Sequence, residues 1–433
     1  MSFIYVSKNV GHGQKTAPVD NVGQTSASGS NGTTGVASEP NFFSDIQKFL
    51  DKEAAFARAF KSFKRRGPTS SSYVELHTPL EVRLGFHRLG IINPTPNGDQ
   101  PFREHYPKPQ SSPCDDIETY KHTAYVVCNG EIYNFKQVLG NPFDNFKVLG
   151  SDCEVILHLY TQLGIKAVIK QISGEFAFII VDVDHEEHSL TVHAARDPMG
   201  VKPLFWAKDE AGFALCSELK GLVGIVRHAD VFPPGFLMSA RFAITEHATV
   251  SEPEIRRVQF YTSNYPIGPP VEPSKMQQIY AEIREIFIAC VRERLIQSDS
   301  STLFGVLLSG GLDSSLVAAI AAQELKNQKL QTFTIGMPRS PDMEFAQSVA
   351  NHIKSEHHKV IMQEDDFLKA ISEVVYAVES YDITTVRASA GQFLISKYIS
   401  TNHPEIKVRH TISIFTIRLK IDWNFLQSAI RAI

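Results

Sequence analysis

Hydrophobic and polar positions divide the chain into stretches of different texture. Residues 7–40 hold few apolar side chains among Gly, Ser, Thr and Asn. Such a stretch has no face to bury, so a flexible segment is expected there. Asn41 to Phe63 carries apolar residues at helical spacing, with Lys and Arg toward its end. From Val82 to Phe260 short β-rich runs follow one another: LGFHRLGII, AYVVCNGEIYNF, GEFAFIIVDVD, LTVHAARD and FALCSEL. They predict a mainly antiparallel, two-sheet unit with few helices. Within it, Arg103 to His122 is polar and proline-bearing and reads as a surface loop. Asn264 to Lys275, NYPIGPPVEPSK, reads as a linker by its prolines. Beyond it the pattern alternates: helix 275–295, strand 305–308, helix from 314, strand 331–335, helix 343–354, strand 358–362, helix 365–379. Strand–helix alternation of this kind predicts a doubly wound parallel sheet.

Composition narrows the function classes. The 433 residues are 43% apolar with a formal net charge of −4 and no long basic run. Nucleic acid and acidic membrane are thereby excluded as main partners. The five cysteines, at 114, 128, 153, 216 and 290, form no CxxC pair. Neither a disulfide framework nor a zinc site is indicated, and reduced thiols in the cytoplasm are expected. No apolar stretch reaches the roughly 18–20 residues of a membrane span, and the start MSFIYVSKNV has no signal-peptide pattern.

The most specific chemistry lies in FGVLLSGGLDSSLVAAIAA, residues 304–322. An apolar strand ends in Ser309, Gly310 and Gly311, and a helix resumes at Leu312, Asp313, Ser314 and Ser315. Glycines let backbone N–H groups converge on one anion, and a helix N-terminus adds positive potential. The hydroxyls of Ser309, Ser314 and Ser315 offer further donors. No lysine stands in the turn, so it is not the GxxxxGK[ST] loop. Asp313 would repel a bare phosphate and makes sense as a ligand of Mg²⁺ carried with a nucleotide. A plain strand–helix turn with a polar cap is the competing reading.

GVLLSGGLDSS resembles the pyrophosphate loop of the ATP pyrophosphatases, which split ATP to AMP and pyrophosphate. With TFTIGMPRSPD, AQSVANHI and ESYDITTVRAS, it resembles asparagine synthetases in particular. That resemblance implies ATP contacts by Leu308 and Ile335 besides the turn. It also implies groups near pyrophosphate and the substrate aspartate at Thr384, Thr385 and Arg387. Read from the residues alone, this last run is equally a capped helix start with an exposed arginine.

The resemblance extends backwards in order through RRGPTSSS, HRLGIINPTPNGDQPF, NGEIYNF, GSDCEVILHLY, GEFAFIIVD, ARDPMGVKPLF and SELKGL, covering most of residues 64–408. The fold it implies is an α+β N-terminal-nucleophile (Ntn) hydrolase four-layer sandwich, a class II glutamine amidotransferase, followed by the α/β ATP-pyrophosphatase sheet. Arg88, with Leu89, Gly90, Ile91 and Ile92, is implied to hold the glutamine α-carboxylate. Asp152 and Glu131 are implied to hold its ammonium, and Asn129 and Gly130 to form the oxyanion hole. Taken singly, each has a plainer reading: a strand arginine, a helix cap, a hairpin turn. His87 and the cysteines at 128 and 153 read as structural.

The implied nucleophile is an N-terminal cysteine. Here FIYV reads as a first strand within residues 1–6, and Ser2 falls at the nucleophile's position. A hydroxyl is a poorer nucleophile than a partly ionised thiol, so glutamine hydrolysis is expected to be weak or absent. After Val408 the family pattern calls for a second acidic loop that 409–433 does not supply. Weak ATP binding and little synthesis of asparagine are therefore expected, from an ATP-pyrophosphatase unit incomplete at its C-terminus. The organisation read from sequence is a first strand at 1–6, a flexible segment at 7–40, an amidotransferase domain at 41–262, a linker at 263–275, a synthetase domain at 276–408 and an off-pattern tail at 409–433. Glutamine, aspartate, ATP and Mg²⁺ are the implied small molecules, and the resemblance allows a homodimer. Two alternatives stay open: an inactive member that binds glutamine or ATP, and another ATP-dependent amide or lactam synthetase.

Overall fold

A computed structural model describes residues 2–8, 54–77, 80–93, 95–107, 121–139, 150–210, 212–243, 252–262, 272–295, 303–325, 328–406 and 408–410. Most of the 7–40 segment, linker residues 263–271 and the tail from 411 lie outside them.

The first body is a sandwich. One sheet contains β1 (Ser2–Lys8), β2 (Ser70–His77), β3 (Leu80–Arg88), β8 (Phe205–Asp209), β9 (Gly212–Cys216) and β10 (Asp230–Val231), in the order β10-β8-β9-β1-β3-β2. The other contains β4 (Phe102–Tyr106), β5 (His122–Ile132), β6 (Gly174–Asp184), β7 (Ser189–Arg196), β11 (Phe236–Ala243) and β12 (Glu254–Gln259), in the order β12-β11-β7-β6-β5-β4. The described pairings are antiparallel throughout.

Strand period two explains the layering. In β1, Ile4 and Val6 join Leu84, Phe86, Val127, Ile179 and Val181 between the sheets. Phe3 and Tyr5 point the other way, onto the helix α1, described over 54–62, through Phe56, Ala59 and Phe63. Phe56, Ala59 and Phe63 recur at helical spacing, and each fully buried Phe contributes about 1.5–3 kcal/mol. The outer face of the second sheet is covered by α3 (Val155–Leu163) and α4 (Ile165–Gln171), with α2 (Phe135–Leu139) nearby. β6 is central and covered on both faces, which is why its apolar run is continuous rather than alternating. The result is the expected four-layer sandwich.

Two expectations are corrected. Residues 103–106, the start of the expected surface loop, belong with Phe102 to the edge strand β4, paired Phe102↔Val126 to Tyr106↔His122. Phe102 and Tyr106 are buried and Arg103 and His105 are exposed, so its alternation is real but carried by two apolar residues only. β1 also extends through Ser7 and Lys8, beyond the expected start of the flexible segment. There Ser7 is buried and its hydroxyl donates to Glu81 Oε2 at 3.3 Å.

The second body begins with α5 (Met276–Leu295). A parallel sheet follows, from β13 (Phe304–Leu307), β14 (Gln331–Gly336), β15 (Glu356–Ile361) and β16 (Val408–His410), in the order β15-β14-β13-β16. α5, α6 (Leu312–Glu324) and α7 (Pro341–Ile353) share one core with β13, while α9 (Ile383–Asn402) packs on the other side and α8 (Glu364–Val378) against α9. The sheet is doubly wound. Strand order reverses beside β13, which places the end of β13 at the topological switch point where such sheets receive ligands. Arg409 and His410, from the segment read as off-pattern, pair with β13 in β16.

Polar contacts join the bodies, among them the Tyr376 hydroxyl to Ser62 O at 3.4 Å. Arg294 of α5 bonds Glu175 of β6 at 2.8 Å, both buried. Glu379, just past α8, accepts from the backbone N–H groups of Leu219 and Lys220 at 2.8 and 2.6 Å. Ile91 packs on the apolar core of the second body.

Candidate functional site

A cavity of about 170 Å³ opens at one end of the sandwich, lined by Arg66, Arg88, Leu89, Ile91, Ile92, Asn129, Gly130, Glu131, Asp152 and Lys202 among others. It is smaller than the roughly 300–1,000 Å³ pockets of drug-sized ligands and suits one amino acid. Sheet register converges these groups. Asn129, Gly130 and Glu131 lie near the end of β5 opposite Ala177, Phe176 and Glu175. A Cβ on Gly130 would strike the Glu175 carbonyl, so only glycine allows this approach of strands.

Asn129 Nδ2 is buried and has no hydrogen-bond partner among the described residues. A buried amide donor left unpaired costs about 1–3 kcal/mol, so it is placed at the expense of stability. Asp152 sits in the short 3₁₀ turn Asp152–Glu154, capped by the Ser151 side chain, which leads into α3. Its Oδ2 accepts from Ile132 N–H at 2.6 Å and its Oδ1 from the Ser151 hydroxyl at 2.8 Å. Burial pushes its pKa up to about 6; the bonds from Ile132 and Ser151 oppose this, and neighbouring Glu131 adds to it.

Arg88 lines the cavity with its guanidinium engaged by four oxygens. Its Nη1 donates to Thr95 O (2.6 Å) and Asp99 Oδ1 (3.1 Å), and its Nη2 to Ile92 O (3.0 Å) and Asn93 O (2.5 Å). The guanidinium holds the 92–99 loop rather than standing free for an anion. Gly98 packs so closely that a side chain there would strike Arg88. Of the loop, Leu89, Ile91 and Ile92 line the cavity, while Gly90 N–H donates to Thr69 Oγ1 at 3.0 Å.

Ser2 is fully buried, and its Oγ has no partner among the described residues. Its Cα partner Phe86 lines the cavity, whereas Ser2 is not among the lining residues. Ser2 N–H donates to Ser217 Oγ (3.1 Å) and Ser217 N–H to Ser2 O (3.0 Å). His87 is structural, as expected: it stacks on Phe60 with centroids 4.0 Å apart and bonds Phe60 O and Ser71 Oγ. Cys128 and Cys153 are free and buried, packed in the core beneath α3.

At the switch point, Leu308 is buried and Ser309 to Ser315 form an open turn. Gly310 has φ +79°, and a Cβ there would meet Phe345 and the Ala346 backbone. Gly311 starts α6. The hydroxyls pair locally: Ser309 Oγ with Ser314 Oγ at 2.9 Å, and Ser315 Oγ to Gly311 O at 2.7 Å. Asp313 lies exposed in the first helical turn, and Ile335 is half-buried near the end of β14. At the start of α9, Asp382 Oδ1 caps the helix by accepting from Thr385 N–H and its hydroxyl, both at 2.8 Å. Thr384 and Arg387 are exposed beside it. The capped-helix alternative thus describes Thr385, whose hydroxyl is already engaged.

Residues 42–250 match a glutamine amidotransferase domain model and residues 282–408 an asparagine synthase model. Curated relatives include proteins named asparagine synthetase [glutamine-hydrolyzing]. That of Cricetulus griseus is 36% identical over 359 residues, spanning 79% of this chain and 60% of the relative. That of Mus musculus is 37% identical over 366 residues, with the same shares. That of Gallus gallus is 38% identical over 355 residues, 77% of this chain and 58% of the relative. The chain belongs to the asparagine synthetase family. It spans about three fifths of the length of the curated relatives it matches.

Sequence reasoning passed over other cavity residues of this asparagine synthetase-family chain. Gln100 bonds the backbone of Cys128 with both ends of its amide, Cys128 N–H to Oε1 at 2.6 Å and Nε2 to Cys128 O at 3.4 Å. It fixes the strand position one residue before Asn129. Arg66, in the RRGPTSSS run, and Lys202, in GVKPLF, are the other two cavity cations. The available signal was their place in quoted motifs, but nothing local shows that both face one cavity.

Proposed function

We propose that this chain binds glutamine in the cavity at the end of the sandwich and ATP on the Ser309–Ser315 turn. The reaction assigned to it is ATP-dependent conversion of aspartate to asparagine through β-aspartyl-AMP, with ammonia from glutamine. The observation that carries the reading is the unpaired, buried Asn129 amide at a cavity that also holds Glu131 and Asp152. An N–H kept dry and unpaired is a donor held ready for a developing oxyanion, and preorganised donors are worth most in such surroundings. Gly130 N–H is assigned as the second donor. Asp152, ionised above about pH 6, and Glu131 take the substrate ammonium. Arg88 shapes the carboxylate end through the loop it holds, and Arg66, which also pairs with Glu218 at 2.9 Å, and Lys202, 3.8 Å from Glu175, are assigned to meet the carboxylate.

In the second body, backbone N–H groups at Gly310 and Gly311 and the start of α6 receive the phosphates, with Leu308 and Ile335 beside the nucleotide. Thr384 and Arg387 face the pyrophosphate and aspartate end. Asp313 is a single exposed carboxylate, and among the described residues no group of three or more His, Cys, Asp or Glu is placed to hold a metal. That donor set fits Mg²⁺ held by one acid and the nucleotide's own phosphates. When bound, the ion neutralises phosphate charge. No helix among the described residues is long and apolar enough to cross a membrane. The free cysteines fit residence in the cytoplasm.

Ser2 favours slow glutamine turnover, and with it the reading as a binder of glutamine. The test is calorimetric titration with glutamine and with Mg-ATP, alongside glutamate release by the chain and by Ser2→Ala. Binding of both ligands with slow, Ser2-dependent release is expected. Absence of glutamine binding to the reduced chain would sink the reading.

A further inference from the structure

We infer that Glu379 is a positioning residue that ties the start of β1 in the sandwich to the start of α9 in the parallel-sheet body. The first observation is conformational. Glu379 follows the last residue of α8 with φ 54°, a left-handed conformation uncommon for a residue other than Gly or Asn. Such strain persists only where the surroundings hold it. Here the hold is visible. The carboxylate accepts two successive backbone N–H groups, Leu219 at 2.8 Å and Lys220 at 2.6 Å, as an anion would be cradled. Lys220 Nζ lies 3.4 Å from the same carboxylate, 2.8 Å from Glu218 Oε2 and 3.2 Å from Tyr376 O.

The grip continues in both directions. Glu218, almost wholly buried, also pairs at 2.9 Å with Arg66, which lines the glutamine cavity. Ser217, next in the chain, exchanges two hydrogen bonds with Ser2. On the other side Glu379 is followed within three residues by Asp382, the cap that sets Thr384, Thr385 and Arg387 at the start of α9. One carboxylate therefore sits between the cavity end of the sandwich and the ligand end of the parallel sheet. Charge-assisted bonds of this kind are short and about twice as strong as neutral ones. Moving the α9 start away from the seam must release the 217–220 turn, and with it the hold on Ser2.

The role of the joint in catalysis rests on the glutamine and ATP reading above; the joint itself does not. The experiment therefore has two arms, both on the full chain. Glu379→Asn tolerates the left-handed backbone but is one methylene too short and uncharged. In the first arm, amide hydrogen exchange is followed without ligand. Faster exchange, on the order of tenfold, is expected in Glu379→Asn at Leu219 and Lys220, spreading to Ser217 and to β1 from Phe3 to Tyr5. A change confined to residues 219 and 220, or none, overturns the inference. In the second arm, glutamine is titrated with and without saturating Mg-ATP. The two ligands should alter each other's affinity reciprocally by about fivefold or more. In Glu379→Asn this factor should fall to one, with each ligand's separate affinity unchanged. Equal factors in the two proteins refute a coupling role. If the wild-type chain binds neither ligand, the functional reading fails, and the exchange arm still decides the joint.

Discussion

Asp152→Asn isolates one carboxylate on which both the stability and the chemistry of the cavity depend. The substitution keeps shape and an oxygen for Ile132 N–H, and the Ser151 hydroxyl can turn to accept from the new amide. What it removes is a buried charge. Burial raises the pKa from 3.8 to about 6. At about 1.4 kcal/mol for each tenfold change in proton affinity, the buried charge costs about 3 kcal/mol at neutral pH. The sign follows from linkage: the folded-state pKa is the higher, so the contribution is fully present below about pH 4 and is lost as pH rises through about 6. Wild type and Asp152→Asn should therefore be similarly stable near pH 3.5, and wild type the less stable by about 3 kcal/mol at pH 7.5. Denaturant titrations at five pH values measure this, following Trp206 in a Trp423→Phe background so that the sandwich is read. A difference between the two proteins that stays constant from pH 3 to 8, or grows in wild type's favour with pH, would refute the reasoning.

Other changes test other links. Asn129→Ala should slow glutamine turnover by about 10²–10³ with little effect on glutamine affinity; an equal loss in affinity would mean the amide meets the ground state. Gly310→Ala forces a Cβ toward Phe345 at φ +79° and should cost about 1–3 kcal/mol. Its Mg-ATP titration should weaken at least tenfold, and an unchanged titration would place the nucleotide elsewhere. Arg294→Met leaves Glu175 buried with only Lys202, 3.8 Å away, as a cation. Loss of about 3–5 kcal/mol is expected by chemical denaturation, largely recovered in Arg294→Met with Glu175→Leu; no recovery would mean packing rather than charge is at stake.

What the sequence made legible is what local physics controls. The run of β6 reads as a strand because Phe176 to Val181 are uninterrupted apolar residues. Ser309 to Ser315 reads as a ligand turn because a sharp strand–helix junction demands glycine where Gly310 stands. Asp382 ahead of Thr385 is a cap signal of the same local kind. Partners distant in sequence were not legible. β4 holds only Phe102 and Tyr106 as apolar markers, and its pairing comes from β5. Arg88 was identified as a residue, but not what its guanidinium does, because its partners are carbonyls placed by the path of the 92–99 loop. Arg294 and Glu175 lie 119 residues apart, and no pattern in either segment announces the other.

That ion pair bears on how this protein can be rebuilt. A linker rich in proline invites exchange of one body for a relative's. Yet a sandwich moved without its own α5 carries Glu175 into a seam with no arginine opposite, and α5 moved alone carries an arginine with no acid. Chimeras cut between the bodies should succeed only when both residues travel together or when both are replaced by apolar side chains. The unit that can be transplanted is therefore the whole sandwich together with the linker and α5.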